Sequence, residues 1–267
     1  MCNKRNDSDR EHVPAALSRR EALKAGAAAA IMPFVGGANA IAQATESAHA
    51  SASKVRDAAT EWLRYGGDKA SSKYSPLAQI SGGNFSCLKT AWTWQSAEEE
   101  VAKANHLKTW AWESTALMVG GVLYISTSLS QVAAVDAATG KTLWVYDPET
   151  WKNGTPSNNG FVHRGVAFWT EGKDRRILFG TGDGYLICLN AATGKPVSTF
   201  GHEGRIDLTQ GLGRSVDRHL YGVSSPPIIC RNVIVMGSKV NDIPLAAKMP
   251  PGDVRGFDVR TGRLQWT

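Results

Sequence analysis

Cysteine is scarce: Cys2, Cys87, Cys188 and Cys230 are the whole complement, and no two stand in C-x-x-C spacing. That arrangement gives no zinc-finger or dithiol pattern. Removal of an N-terminal signal would leave three, an odd number that excludes a fully paired framework, so the thiols are expected to be buried. Charge is equally modest. Thirty Lys/Arg against 24 Asp/Glu give a formal +6, with no basic cluster beyond the N-terminal segment, which argues against nucleic acid as a partner. His106, His202 and His219 lie far apart, without metal-ligand spacing. Low-complexity tracts and long amphipathic patterns are also missing, and past residue 44 no apolar run is long enough to span a membrane.

The N-terminus reads as an address. Ser18-Arg19-Arg20-Glu21-Ala22-Leu23-Lys24 precedes Ala25–Ala44, 20 residues without a charge, and Ala38-Asn39-Ala40 and Ala42-Gln43-Ala44 offer small-x-small cleavage sites. An arginine pair before a weakly apolar Ala/Gly-rich stretch is the pattern of a twin-arginine export signal. The expected organisation is a signal over residues 1–44, a linker over 45–61 and one domain over 62–267. The mature protein is then periplasmic, and a retained signal or a peripheral contact would hold it at the membrane.

What is abundant is glycine, 27 residues, and tryptophan, nine, within a repeated unit. Val122-Leu-Tyr-Ile-Ser-Thr127 leads to Val132-Ala-Ala-Val-Asp-Ala-Ala-Thr-Gly-Lys-Thr-Leu-Trp144. Ile177-Leu-Phe-Gly-Thr181 leads to Leu186-Ile-Cys-Leu-Asn-Ala-Ala-Thr-Gly-Lys195. Val233-Ile-Val-Met-Gly237 leads to Val254-Arg-Gly-Phe-Asp-Val-Arg-Thr-Gly-Arg-Leu-Gln-Trp266. Each unit predicts an apolar strand, a turn, a second strand ending in Asp136, Asn190 or Asp258, then x-x-Thr-Gly and a third strand. The acid or amide caps a tight turn and Gly140, Gly194 and Gly262 supply positive φ. Trp144 and Trp266 follow their glycines by four residues, where a flat side chain can stack between sheets; the second unit has Ser198 there, with Phe200 nearby. One such sheet cannot bury both faces, whereas several packed radially can, so the fold expected is an all-β propeller, with a β-sandwich as the alternative. Residues 97–108 are the one stretch expected to be helical after the signal. Gly180-Thr-Gly-Asp-Gly184 lacks the spacing of a nucleotide loop and reads as a hairpin turn.

The repeat V-x-A-x-D-x-x-T-G-K-x-x-W resembles the strand pair of quinoprotein dehydrogenases, eight-bladed propellers that hold pyrroloquinoline quinone (PQQ). Trp62-Leu-Arg-Tyr-Gly-Gly-Asp68, Arg164-Gly165-Val166, Thr181-Gly-Asp-Gly-Tyr-Leu-Ile187, Gly222-Val-Ser-Ser-Pro-Pro-Ile228 and Arg255-Gly-Phe-Asp258 follow in the order of the membrane glucose dehydrogenase branch. The resemblance implies a PQQ-dependent oxidoreductase with Ca2+ or Mg2+, a sugar or alcohol substrate, and a quinone or cytochrome electron acceptor. It implies that Glu113, Arg164 and Ser224 bind the cofactor, Arg164 through a PQQ carboxylate, and that Asn241 and Asp242 lie at the metal. As residues alone, Glu113 has the alternative of a surface acid, Arg164 of a blade-edge arginine and Ser224 of a turn residue. Asn241-Asp242 reverses the Asp-Asn order of the glucose branch, His163 stands where that branch has Cys, and Gly160 where it has a substrate-contacting His. These departures point from glucose towards another sugar, a polyol or a hydroxy acid. The general base of the family falls beyond Thr267. Eight blades of about 55–65 residues need roughly 450–520, and 205 residues follow Trp62. Three to four blades and an N-terminal fragment, inactive by itself, are therefore expected. The alternative function is a non-enzymatic periplasmic propeller that scaffolds protein–protein contacts.

Overall fold

The computed structural model describes residues 61–157, 160–239, 241 and 243–267. The signal expected over residues 1–44, most of the linker and Asp242 lie outside the described residues. The chain divides into two units, Met1–Arg56 with Gln79–Lys89, and Asp57–Ala78 with Thr90–Thr267. In the first, Gln79–Lys89 holds a 3-10 turn at Phe85–Cys87, led by an Asn84 side chain that accepts from the Ser81 amide at 2.7 Å. Cys87 in this segment is exposed.

The second unit is built from strands. Its one described α-helix, α1 (Glu98–Ala104), falls inside the stretch expected to be helical. The buried Glu98 carboxylate accepts from the Leu129 amide at 2.7 Å, which ties this helix to a turn of the first sheet. After β1 (Thr109–Thr115) come β2 (Leu117–Val119), β3 (Val122–Ser126), β4 (Val132–Asp136) and β5 (Thr142–Tyr146), paired in that order into an antiparallel sheet. Strand β6 (Phe161–Gly165) pairs in parallel with β1. A second sheet follows from β7 (Ala167–Glu171), β8 (Asp174–Gly180), β9 (Tyr185–Asn190) and β10 (Arg205–Asp207). A third is formed by β11 (Ile228–Cys230), β12 (Val233–Met236), β13 (Arg255–Asp258) and β14 (Leu264–Trp266). Three four-stranded antiparallel meanders packed face to face are propeller blades, as the repeat implies.

Period-two alternation lets the middle sheet bury both faces. Ile177 and Phe179 of β8, with Ile187 and Leu189 of β9, pack towards the first sheet around Leu117, Val132 and Ala134. The intervening Leu178, Leu186 and Cys188 pack towards the third, against Ile234, Met236 and Phe257. Burial pushes the Cys188 thiol up to about 12, against the pull of Arg176. Cys230, by contrast, is exposed, so the expectation of buried thiols holds for Cys188 alone.

The Thr-Gly turns behave alike. Asp136 Oδ1 accepts from the Thr139 amide and hydroxyl at 2.8 and 2.7 Å, and Asp258 Oδ1 accepts from the same pair of Thr261 groups at 2.8 Å each. These turns also join the sheets. A Cβ added at Gly194 would lie 2.6 Å from the Trp144 ring, and one at Gly140 the same distance from Trp92. Each indole N–H donates to the carbonyl just after the capping residue, Trp144 to Ala191 at 3.1 Å and Trp92 to Ala137 at 3.2 Å. In the second unit Ile206 of β10, not Phe200, meets the next glycine, Gly262, while Phe200 is fully buried in the core. Pro196 explains this irregularity. It has no N–H to give the ladder, the outer strand is delayed to β10, and only an isolated bridge joins Leu189 to Pro196.

Candidate functional site

Strands β1 and β6 do not belong to a blade. They form a parallel pair, registered Trp112 to His163 and Thr115 to Gly165, with an irregularity between. That pairing brings Glu113 beside Arg164, whose Nε lies 2.9 Å from Glu113 Oε2. Gly165 permits the approach, because at φ +138° its missing Cβ would sit 3.2 Å from the Thr115 carbonyl. The loop before β11 closes the other side. Arg164 donates from its backbone N–H to the Ser224 carbonyl at 2.8 Å, and from Nη1 to Ser224 Oγ at 2.7 Å. Glu113, Arg164 and Ser224, separated by 51 and 60 residues in sequence, thus meet around one guanidinium. Both members of the ion pair remain over a third exposed, and Arg164 Nη2 has no partner among the described residues.

His163 anchors the arginine from behind. It is buried, with Nε2 2.7 Å from the Gly180 carbonyl and Nδ1 2.8 Å from Ser126 Oγ. A carbonyl only accepts, so Nε2 carries the proton and Nδ1 accepts from Ser126. Burial, followed by the charge of Arg164, lowers its pKa to about 4, against the hydrogen bond it donates to the Gly180 carbonyl. The ring is therefore neutral at physiological pH and acts as a bridge between β6, β3 and β8.

Beside Ser224 opens a cavity of about 120 Å3, lined by Val223–Pro226 and Met236–Lys239. Ordinary ligand pockets hold about 300–1,000 Å3, so this one has room for no more than an edge of such a ligand. Lys239 borders it and donates from Nζ to the Ser157 carbonyl. Burial, then the charge of Arg164, hold its pKa below the usual lysine value. This lysine escaped the sequence reading; its only signal was a cation directly after Met236-Gly237-Ser238. Asn241 shares Ser157 with Lys239, its Oδ1 accepting from Ser157 Oγ at 3.3 Å, while its buried Nδ2 has no partner among the described residues. The other half of the expected metal pair, Asp242, lies outside the described residues. Among the described residues no three His, Cys, Asp or Glu side chains gather as a metal cage. Gly160 has positive φ in the loop leading to β6. The Gly180–Gly184 segment is the β8–β9 hairpin turn, closed by Thr181 N–H to the Tyr185 carbonyl at 2.8 Å.

The arrangement suits PQQ. A guanidinium fork with a free edge binds a carboxylate in two parallel hydrogen bonds, and the adjoining hydroxyl of Ser224 and carboxylate of Glu113 orient it. Arg164 pairs with Glu113, while Lys239 has no carboxylate partner among the described residues, which leaves the site positive.

Comparison with known proteins places the fold among its relatives. The family model for the β-propeller domain of PQQ glucose/ethanol/alcohol dehydrogenases matches residues 62–267. The quinoprotein glucose dehydrogenase of Escherichia coli (strain K12) is 34% identical over 220 residues, covering 77% of this chain and 26% of that protein. The dehydrogenase subunit of the quinone alcohol dehydrogenase of Gluconobacter oxydans (strain 621H) is 35% identical over 212 residues, 77% of this chain and 24% of that one. The crystal structure of the quinohemoprotein alcohol dehydrogenase from Comamonas testosteroni superposes with a TM-score of 0.59 at 29% identity, over 78% of this chain and 27% of the other. The chain spans about a quarter of the length of the curated relatives it matches. Repeat, blade packing and family match coincide over the same residues, and the chain belongs to the PQQ-dependent glucose/alcohol dehydrogenase family of β-propellers.

Proposed function

We propose that the protein is an oxidoreductase that uses PQQ to oxidise the hydroxyl-bearing carbon of a sugar, polyol or other alcohol. Quinone or a cytochrome would then receive the electrons. The observation that carries this reading is the convergence of Glu113 and Ser224 on the Arg164 guanidinium, beside the cavity that Ser224 and Lys239 line. When bound, PQQ supplies the quinone chemistry that accepts the electron pair from the alcohol. Arg164 would hold a carboxylate of the cofactor. Ser224 and Glu113 fix the guanidinium plane from two sides, so that less ordering is left for binding. His163, neutral and twice hydrogen-bonded, keeps β6 in register under the arginine. A divalent cation, calcium or magnesium, belongs to the same proposal, with the oxygens of Asn241 and Asp242 as candidate ligands. A scaffold propeller would give no reason for a partly exposed arginine whose guanidinium is held from two sides with Nη2 left open.

The test is titration of the full-length apo-protein with PQQ. Arg164→Ala should weaken binding by about 100-fold, the loss of two hydrogen bonds between charged groups. An unchanged dissociation constant would remove Arg164 from the site.

Export through the twin-arginine route to the periplasm is part of the same reading, supported by Arg19-Arg20 and the apolar stretch after them. Among the described residues no helix is long and apolar enough to cross a membrane. Changing Arg19 and Arg20 together to Lys should leave unprocessed precursor in the cytoplasm; normal processing of that variant would refute the route.

A further inference from the structure

We propose that Lys239 is a second cation of a carboxylate-binding site, acting with Arg164 across the cavity between Ser224 and Gly237. The inference rests on the PQQ reading and deepens it. Three features of the site carry it. Lys239 borders the cavity that Ser224 also lines, and Ser224 is the residue that Arg164 grips through Nη1. Its backbone N–H donates to the Gly222 carbonyl at 2.9 Å and its Nζ to the Ser157 carbonyl, so both ends of the side chain are positioned. Among the described residues no carboxylate pairs with it, while Glu113 is already paired with Arg164.

A partly buried ammonium that feels the charge of Arg164 and, among the described residues, bonds only a neutral carbonyl is electrostatically incomplete. Its lowered pKa, from burial and from Arg164, is a sign of the same deficit. A carboxylate placed in the cavity would answer it, accepting from Nζ on one side and from the open edge of Arg164 on the other. That chemistry is supplied either by a carboxylate of PQQ or by the carboxylate of a hydroxy-acid substrate.

The experiment uses the full-length protein and two substitutions. Lys239→Met removes the charge at similar length, and Lys239→Arg retains it; circular dichroism confirms that each folds, with Lys239→Gln as replacement for Met if needed. Apo-protein is titrated with PQQ by fluorescence, and holoprotein is assayed with neutral sugars and alcohols and with hydroxy acids. If the cofactor is the source, Lys239→Met weakens PQQ binding by about 10- to 100-fold and Lys239→Arg restores most of it. If the substrate is the source, PQQ binding is unchanged, and Lys239→Met raises KM for hydroxy acids at constant kcat without affecting neutral substrates. A variant that shifts neither quantity overturns the role of Lys239. A wild-type protein that takes up no PQQ overturns the underlying reading and the lysine with it, an outcome distinct from equal binding by wild type and variant.

Discussion

His163 shows what a single buried side chain does for this site. With both ring nitrogens engaged and its pKa near 4, it stays neutral in the folded protein, whereas the unfolded chain protonates it near the ordinary value of 6.5. The unfolded state therefore binds more protons between those values, and stability falls as pH drops from about 6.5 towards 4. The loss saturates at about 3 kcal/mol below that. Thermal melts of wild type and His163→Cys across pH 4–7 measure this. The variant is expected to be less stable at pH 7 yet to show a shallower decline on acidification. Parallel curves would mean that the histidine does not titrate as its burial requires. Residue by residue, the candidate site was half legible. Arg164 and Glu113 could be named from the motifs around them, but an ion pair across 51 positions has no periodicity to betray it. Lys239 could not be named at all, because its importance comes only from the neighbours that folding brings to it.

At the scale of strands and turns, the repeat displayed its own mechanics. Asp or Asn, Thr and Gly at fixed offsets define a turn whose cap needs only local contacts, so three turns were readable one at a time. Strands β2, β7 and β11, which open each sheet, were missed because they are three to five residues long and carry no turn motif of their own. The parallel β1–β6 pair was missed because its partners lie some 50 residues apart, and β10 because Pro196 displaced it. The tryptophan placement was borne out at Trp144. Trp144 lies on Gly194 of the following sheet, whereas Trp266 lies against Gly256 of its own. Gly194→Ala is accordingly expected to cost about 2–4 kcal/mol. It joins a left-handed φ of +68° to a Cβ that would sit 2.6 Å from the Trp144 ring. Gly211→Ala also has positive φ but open space around it, and should cost about 1 kcal/mol. Urea denaturation of the two variants compares them directly. Equal losses would show that backbone strain alone, and not the indole contact between sheets, makes Gly194 necessary.

Across the whole second unit, burial is graded from one sheet to the next. Strands β8 and β9 are shielded on both faces, and Ile177, Leu178, Phe179, Leu186, Cys188 and Leu189 are essentially without solvent exposure. Strand β14 is exposed along its whole length, and in β5 Leu143 and Val145 are 50% and 41% exposed. Local opening costs least where few apolar contacts must be broken, so stability should follow this gradient. Arg176 strengthens the middle sheet further. Its guanidinium is held by Asp174 at 2.7 Å and donates to the carbonyls of Val259 and Arg260 at 3.0 and 2.8 Å, which clamps the second sheet to the third. Amide hydrogen exchange followed by mass spectrometry should find peptides from β8 and β9 slowest, those from β12 and β13 intermediate, and those from β14 and β5 fastest. Arg176→Met should accelerate exchange in β13 more than in β3, because its two carbonyl partners lie directly after β13. Uniform protection across the three sheets would mean that the unit opens only as a whole. In that case the doubly buried middle sheet is not its stable nucleus, and the site between β6 and the β11 loop is as rigid as the core beneath it.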